Sequence, residues 1–393
     1  MAGRSREISP NQCGWSVTDP DSLVIITYIP SPYQVELLSA LSRAVSFPVK
    51  VVFCRQSDPN RFWIIPELPF DHCFLDRGGM AIAKRWTTAS GLVVFGTYAS
   101  MAVLHLISLR VRTRLPWAFW GERPGANRRA RMGRILRAIV QSPIRRSKVP
   151  IWGIGTWATA GYRAELGGEH LFLNVPYYSD LSRFLAIGRG KGVPGGLTRF
   201  LYSGSLIERK GVDIVARAFA ELAKEQVGVR LTFLGCGPLE GPLKAATAAV
   251  ADRVDFLGFR QWLELADIYG QHDVLCAPSL YDGWGLIIPE GLAAGMPVIA
   301  TTMMGATRDL LSPANGWAVA PGDKVELLGA MRSAAAQTVE ERNAMIGRAR
   351  ESARCQHLDA GVRRMRRAIT ATMLACWQLG LGKPDKSLSG MAT

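Results

Sequence analysis

The chain has 393 residues, 48% of them apolar and 20% charged, which is more than one hydrophobic core usually organises and implies two folded domains. Lys and Arg exceed Asp and Glu by 47 to 32, and the formal charge of +15 raises the question of an anionic membrane surface or a nucleic acid as partner. Seven scattered cysteines (Cys13, Cys54, Cys73, Cys236, Cys276, Cys355 and Cys376), odd in number and without metal-site spacing, argue against a disulfide scaffold and for free thiols in a reducing cytoplasm.

Residues 1–21 carry Arg4, Arg6 and Glu7 but no apolar core, so they read as a flexible tail and not as a secretory signal. From residue 22 to 187 strand and helix patterns alternate. Leu23 to Ile29 is the first strand, Pro30-Ser-Pro-Tyr33 its loop, and Leu37, Leu38, Leu41 and Val45 the apolar face of the next helix. Further strands are expected at Val49 to Phe53, Leu92 to Gly96, Trp117 to Trp120, Ile151 to Gly155 and Leu171 to Val175. Leu92 to Leu109 is the most apolar stretch, but Gly96, Thr97, Tyr98, Ser100, His105 and Ser108 interrupt it, so strand-turn-helix explains it better than a membrane span. Such alternation implies a doubly wound parallel sheet, whose ligands bind outside the carboxyl ends of the strands. That rule selects the loops containing Ser31, Pro32, Tyr33, Tyr98 and Glu122 as facing a cleft.

Between Arg110 and Lys148 the bases Arg110, Arg112, Arg114, Arg123, Arg128, Arg129, Arg131, Arg134, Arg137, Arg145, Arg146 and Lys148 meet one acid, Glu122. Met132, Ile135, Leu136, Ile139 and Val140 share one helical face, with Arg131, Arg134 and Arg137 opposite. Residues 128–148 therefore read either as a helix lying on an anionic membrane or as one packed on its own sheet with a solvated arginine face. The segment lacks interleaved aromatic residues, and no nucleic-acid partner is expected. The glycine-rich stretch 188–198 is the expected linker to a second domain, residues 199–350.

In the second half, Arg199-Phe-Leu-Tyr-Ser-Gly-Ser-Leu-Ile-Glu-Arg-Lys-Gly211 is a strand ending at Gly204, a cationic loop and the start of a helix with Val212, Val215, Ala216, Phe219, Leu222 and Ala223 on one face. Arg209 and Lys210 are placed to neutralise a diphosphate, one as a planar fork and the other as a compact charge. Downstream, Asp282 and Glu290 stand eight residues apart in Tyr281-Asp-Gly-Trp-Gly-Leu-Ile-Ile-Pro-Glu290, between a strand candidate at Val274 to Ser279 and a helix expected from about Leu286. Pro289 is tolerable in a first helical turn, where backbone donors such as those of Gly285 and Leu286 lack intrahelical partners and suit a phosphate. Glu290, one turn in, can accept hydrogen bonds from two ribose hydroxyls.

These segments, together with Phe233-Leu-Gly-Cys-Gly-Pro238, Val254-Asp-Phe-Leu-Gly258, Asp273-Val-Leu-Cys-Ala-Pro-Ser279 and Gly295-Met-Pro-Val-Ile-Ala-Thr301, resemble the donor-binding half of family 4 of the retaining glycosyltransferases. The resemblance covers about a hundred residues and implies the GT-B fold, two Rossmann-like doubly wound domains facing a cleft. It implies that Asp282 contacts the transferred sugar, with Lys210 and Glu122 as the other catalytic positions. Glu122 falls in rough register with a family histidine and equally reads as a strand-end surface acid. The donor site would comprise Gly204, Ser205, Arg209, Lys210, Gly235, Phe259 (at the base), Gly283, Trp284, Gly285, Leu286 and Glu290 (at the ribose), and the acceptor side Ser31, Pro32, Tyr33 and Tyr98. This chain departs from the family in having Asp282 for the first glutamate of the acid pair and Ser205 for an arginine. Asp19-Pro-Asp21 superficially matches a metal-holding acid pair of other glycosyltransferases but falls in the tail, and neither metal nor cofactor is expected. The implied activity is transfer of a hexose from a nucleotide diphosphate sugar to a saccharide or lipid-linked acceptor, by an enzyme in the cytoplasm, peripheral to the inner face of the membrane. A sugar-nucleotide epimerase or a phosphorylase could share the scaffold, and a nucleic-acid-binding protein on an idle fold is the rival of another class. A helical segment, 351–380, would cross back to the first domain, leaving 381–393 as a tail.

Overall fold

The computed structural model of the chain describes residues 20–58, 61–98, 100–124, 137–188 and 196–382. Two parallel sheets form the frame. The first, of seven strands, has the order β3-β2-β1-β4-β5-β6-β7, built from β1 (Leu23–Thr27), β2 (Val49–Phe53), β3 (Asp71–Phe74), β4 (Leu92–Phe95), β5 (Trp117–Gly121), β6 (Ile151–Gly153) and β7 (Phe172–Asn174). The second has six, in the order β10-β9-β8-β11-β12-β13: β8 (Thr198–Ser203), β9 (Val229–Leu234), β10 (Val254–Gly258), β11 (Val274–Ala277), β12 (Val298–Thr301) and β13 (Gly316–Val319). The central strands are buried end to end: all five residues of β1 and all four of β4 and β11 lie inside. That is why they read as continuous apolar runs, because helices cover both faces of a parallel sheet.

Two strands escape the sequence pattern. In β3, Asp71 and His72 are exposed on an outer edge and only Cys73 is buried, so no apolar run marks it. In β13, Gly316 begins the strand because a Cβ there would lie 2.1 Å from the Val298 carbonyl oxygen of the neighbouring strand.

The helix Leu358–Gln378 returns to the first domain and packs on the helix Pro32–Ala44. It buries Met365, Ala368, Ile369, Met373 and Cys376, and its Thr372 hydroxyl accepts a 2.9 Å hydrogen bond from the Trp152 indole. Arg110, grouped by sequence with the surface bases, is instead fully buried beneath the helix Met101–Thr113. Its guanidinium donates to the carbonyls of Thr87, Gly91 and Pro116 at 2.6–3.2 Å, and burial lowers its pKa to about 9. Arg137 is also committed internally, bridging to Glu165 at 2.6 Å, which removes it from the solvated arginine face. Arg128, Arg129, Arg131 and Arg134, with their apolar companions up to Leu136, lie outside the described residues, as do Cys13, Asp19 and residues 189–195 of the linker. The other six cysteines are free thiols. Among the described residues no helix is long and apolar enough to cross a membrane.

Candidate active site

The carboxyl ends of both sheets face one cleft of about 1250 Å³. Loops after β8, β9, β10 and β11 supply one wall, and loops after β2 and β5 supply the other, as strand-end geometry dictates. Close backbone approach shapes the second-domain wall. Gly235 has φ +138°, and a Cβ there would sit 2.0 Å from the Gly204 carbonyl oxygen, so the first two loops can nest only without side chains. Gly211, at φ +63°, ends a short 3-10 turn over Glu208–Lys210 and leaves no room for a Cβ against the Pro278 carbonyl, 2.2 Å away. That turn aims Arg209 and Lys210 at the loop after β11.

There Lys210 Nζ meets Asp282 Oδ2 at 2.5 Å, with only 20% and 17% of the two side chains exposed. Arg209 donates to the Tyr281 carbonyl at 2.7 Å and keeps the rest of its guanidinium at the cleft. Opposite stands Glu122, close enough to Gly283 that a Cβ on that glycine would be 2.1 Å from Glu122 Oε2. The carboxyl of Glu122 opens onto the cleft, yet both domains enclose it. Limited hydration first and the Asp282 charge second raise its pKa, while Arg209, Lys210 and a hydrogen bond from Tyr177 pull it down. Tyr33 lies behind it, its ring 5.1 Å from that of Tyr177 and its phenol pushed up to about 12 by burial.

Glu290 sits deeper, off the cleft wall, in the helix Ile287–Ala293, with Leu286 at the N-cap. Its carboxylate faces the Tyr269 hydroxyl at 3.5 Å. Burial, and then the charge of Glu36, push its pKa up to about 8. Glu36 is itself held by Arg183 and the Asp180 amide, both at 2.9 Å, so an acidic pair spans the domain junction with one compensating cation.

The structure thus brings Gly204, Ser205, Arg209, Lys210, Gly235, Phe259, Asp282, Gly283 and Glu122 to one cleft. It does not bring all of the expected residues. Trp284 is 1% exposed and packs on Gly155, where a Cβ would touch its ring at 2.6 Å, so it anchors the loop and offers the cleft no ring face. Leu286 is half-buried against the core, and Gly285, at φ +90°, makes the turn beneath Asp282. Ser31 and Pro32 are buried at the start of a helix, with the Ser31 hydroxyl spent on Gln34. Tyr98 packs its ring 5.3 Å from that of Phe119, accepts from Gln141 at 3.3 Å and does not line the cleft. Of the expected acceptor group only Tyr33 adjoins Glu122.

Residues not anticipated also face the cleft: Asp58, Arg61, Phe62 and Trp63, all in the loop after β2. The strand-end rule that selected the other loops applies equally there, and the Arg-Phe-Trp run was its visible signal. A second unanticipated residue is Asp309. From the second domain its carboxylate caps the first-domain helix Thr156–Leu166, accepting from the Thr156 amide at 3.0 and 3.3 Å and from the Thr156 hydroxyl. Among the described residues no three His, Cys, Asp or Glu side chains are grouped to hold a metal ion.

Two facing Rossmann-like domains with the site between their strand ends define the GT-B architecture. The Anabaena protein HepE, solved with UDP, superposes with a TM-score of 0.71 at 14% identity over 89% of this chain and all of its own. Residues 198–337 match the family model of glycosyl transferases group 1, so the second domain carries the glycosyltransferase signature. An uncharacterised glycosyltransferase of Methanocaldococcus jannaschii is 30% identical over 135 residues, 34% of each chain. A GDP-mannose-dependent phosphatidylinositol monomannoside mannosyltransferase of Corynebacterium glutamicum is 24% identical over 185 residues, 43% of this chain and 48% of its own. The chain thus spans between about a third and a half of the curated relatives it matches.

Proposed function

We propose that the protein is a retaining glycosyltransferase of family 4 that moves a hexose from a nucleotide diphosphate sugar to a saccharide or lipid-linked acceptor, in polysaccharide or glycolipid synthesis at the inner face of a membrane. The observation that carries this reading is the Lys210–Asp282 pair facing Glu122 across a GT-B cleft. Names of relatives agree in kind: one is a mannosyltransferase that depends on GDP-mannose, and others are putative colanic acid biosynthesis glycosyltransferases.

The chemistry follows from where charge grows. As the glycosidic bond to the diphosphate breaks, negative charge accumulates on the leaving group, and Lys210 and Arg209 stabilise it there from fixed positions. Asp282 pairs with Lys210 and lies where the transferred sugar would rest. Glu122, on the opposite wall, is placed to hydrogen-bond a sugar or acceptor hydroxyl. In this reading Phe259 takes the base, and the ribose reaches past the cleft wall to Glu290, which is set back in the helix Ile287–Ala293.

The experiment is a panel of nucleotide sugars tested first for thermal stabilisation, which reaches about 2.7 kcal/mol at a hundredfold excess over Kd. The stabilising donor is then incubated with and without acceptors, and the product's anomeric configuration is read by NMR. Inverted product would overturn retention, isomerised donor without acceptor would identify an epimerase, and no stabilisation by any donor would sink the reading.

A further inference from the structure

The cleft is chemically graded. Glu122, Arg209, Lys210 and Asp282 cluster at the ends of β5, β8 and β11, whereas Leu234, Pro238, Phe259 and Leu265, alongside the charged Arg260, line the ends of β9 and β10. A nucleotide has the same polarity, with a charged diphosphate at one end and a flat, mostly apolar ring at the other. At the apolar end, however, the wall is not built by the second domain alone.

The segment Arg61–Ile64 of the first domain crosses to the loop after β10 and is tied to it by one side chain. Gln261 accepts from the Ile64 amide at 3.2 Å and donates to the Phe62 carbonyl at 3.3 Å, so both ends of its amide are engaged by the crossing backbone. Gln261 is itself fixed, its backbone amide donating to Glu264 at 2.7 Å. One residue further, Trp262 carries the guanidinium of Arg183 at 4.0 Å. This double attachment sets Phe62 against Phe259, ring centroids 5.8 Å apart at 65°. Both rings line the cleft, and they remain 59% and 36% exposed. Two aromatic rings held in place by polar ties, yet left open toward the cleft, make a surface on which a third flat ring can stack.

We infer that Phe62, a first-domain residue, stacks on the base of the bound nucleotide and sets which base the cleft accepts; this rests on the donor reading above. Because the ties to Gln261 run through the backbone of the segment, replacing the ring removes the stacking surface and leaves the attachment.

The test uses the full chain and isothermal titration with UDP, GDP, ADP and inorganic pyrophosphate. Wild type should prefer one diphosphate. Phe62→Ala should weaken that one by about 5- to 150-fold, the range of losing one base-aromatic stack, and narrow the spread among the three bases. Pyrophosphate affinity should stay unchanged, and Phe62→Tyr should retain the wild-type preference. A wild type that binds its preferred diphosphate while Phe62→Ala binds it equally well overturns the inference and leaves the donor reading standing. An equal loss for all three bases and for pyrophosphate makes the ring a domain clasp and also overturns it. A wild type that binds none of the three diphosphates defeats the donor reading itself, and the inference with it.

Discussion

Glu290 allows ligand binding to be read as proton release. Burial and the neighbouring Glu36 lift its carboxyl to about 8, so in the free protein at pH 7 it is mostly protonated. A carboxylate accepting hydrogen bonds from two ribose hydroxyls is favoured in its charged form, which draws its pKa back toward the ordinary range near 4. At pH 7 the fraction that must ionise on binding is roughly 0.9, so about that many protons leave per nucleotide sugar bound. The ionised fraction of Glu290 in the free protein rises about eightfold between pH 7 and pH 8.5, and apparent affinity should rise with it. The probe is the stabilising nucleotide sugar, whose diphosphate diester does not titrate in this range. Calorimetry in two buffers of different ionisation enthalpy counts the protons, and Glu290→Gln should abolish both the release and the pH dependence. Stability has a matching sign. Because the folded value lies above the ordinary 4.5, the contribution of Glu290 is fully present below that pH and is lost as pH rises through about 8. The shift sets a ceiling of about 5 kcal/mol, so the melting temperature of Glu290→Gln should gain on that of wild type as pH rises from 5 to 8.5. Proton-neutral, pH-independent binding by the wild type would refute the ribose assignment.

Three further outcomes are expected. Asp282→Asn should depress turnover more than affinity for the free nucleoside diphosphate, because the amide oxygen can still accept from Lys210 while the charge facing the moving sugar is lost; steady-state kinetics with parallel titration decides, and lost nucleotide binding contradicts it. Ser205→Arg should fail to tighten nucleotide binding if Arg209 already serves the diphosphate, whereas a gain on the order of 1.5 to 3 kcal/mol in calorimetry would show that the pocket lacked a cation. Asp309→Ala should cost about 1 kcal/mol through loss of the helix cap and, because the cap joins the domains, increase the radius of gyration by small-angle scattering; an unchanged scattering profile would show that the latch does not hold the cleft closed.

Buried strands were legible because residues such as Leu23 to Ile26 and Leu92 to Phe95 must be apolar on both faces, and that requirement writes itself into a contiguous run. The donor loops were legible for another reason: glycines such as Gly211 and Gly235 stand where any Cβ would strike a neighbouring backbone, so punctuation and geometry coincide. Side-chain direction was not legible. Trp284 follows the cleft-facing Asp282 and Gly283 yet turns inward, and Tyr98 turns to Phe119 and Gln141, because packing against Gly155 and Phe119 decides orientation after the loop is placed. Nor could chain order reveal Asp309 beside Thr156 or Phe62 beside Phe259, contacts created only when two domains meet. Arg110 shows the same limit from the opposite side, since a lone base in a basic run gives no hint that three carbonyls await it in the core.

The returning helix Leu358–Gln378 alters how the molecule can be assembled. Its Met365, Ile369 and Met373 fill the space between the helix Pro32–Ala44 and the first sheet, and Thr372 satisfies the buried Trp152 indole. Until those residues have left the ribosome, the first domain is an open sheet with an unpartnered indole and an uncovered apolar face. The second domain has its strands and most of its helices in hand some twenty residues sooner. The domain translated first is therefore the domain finished last, and a stalled or truncated product exposes the amino-terminal core to proteases and chaperones.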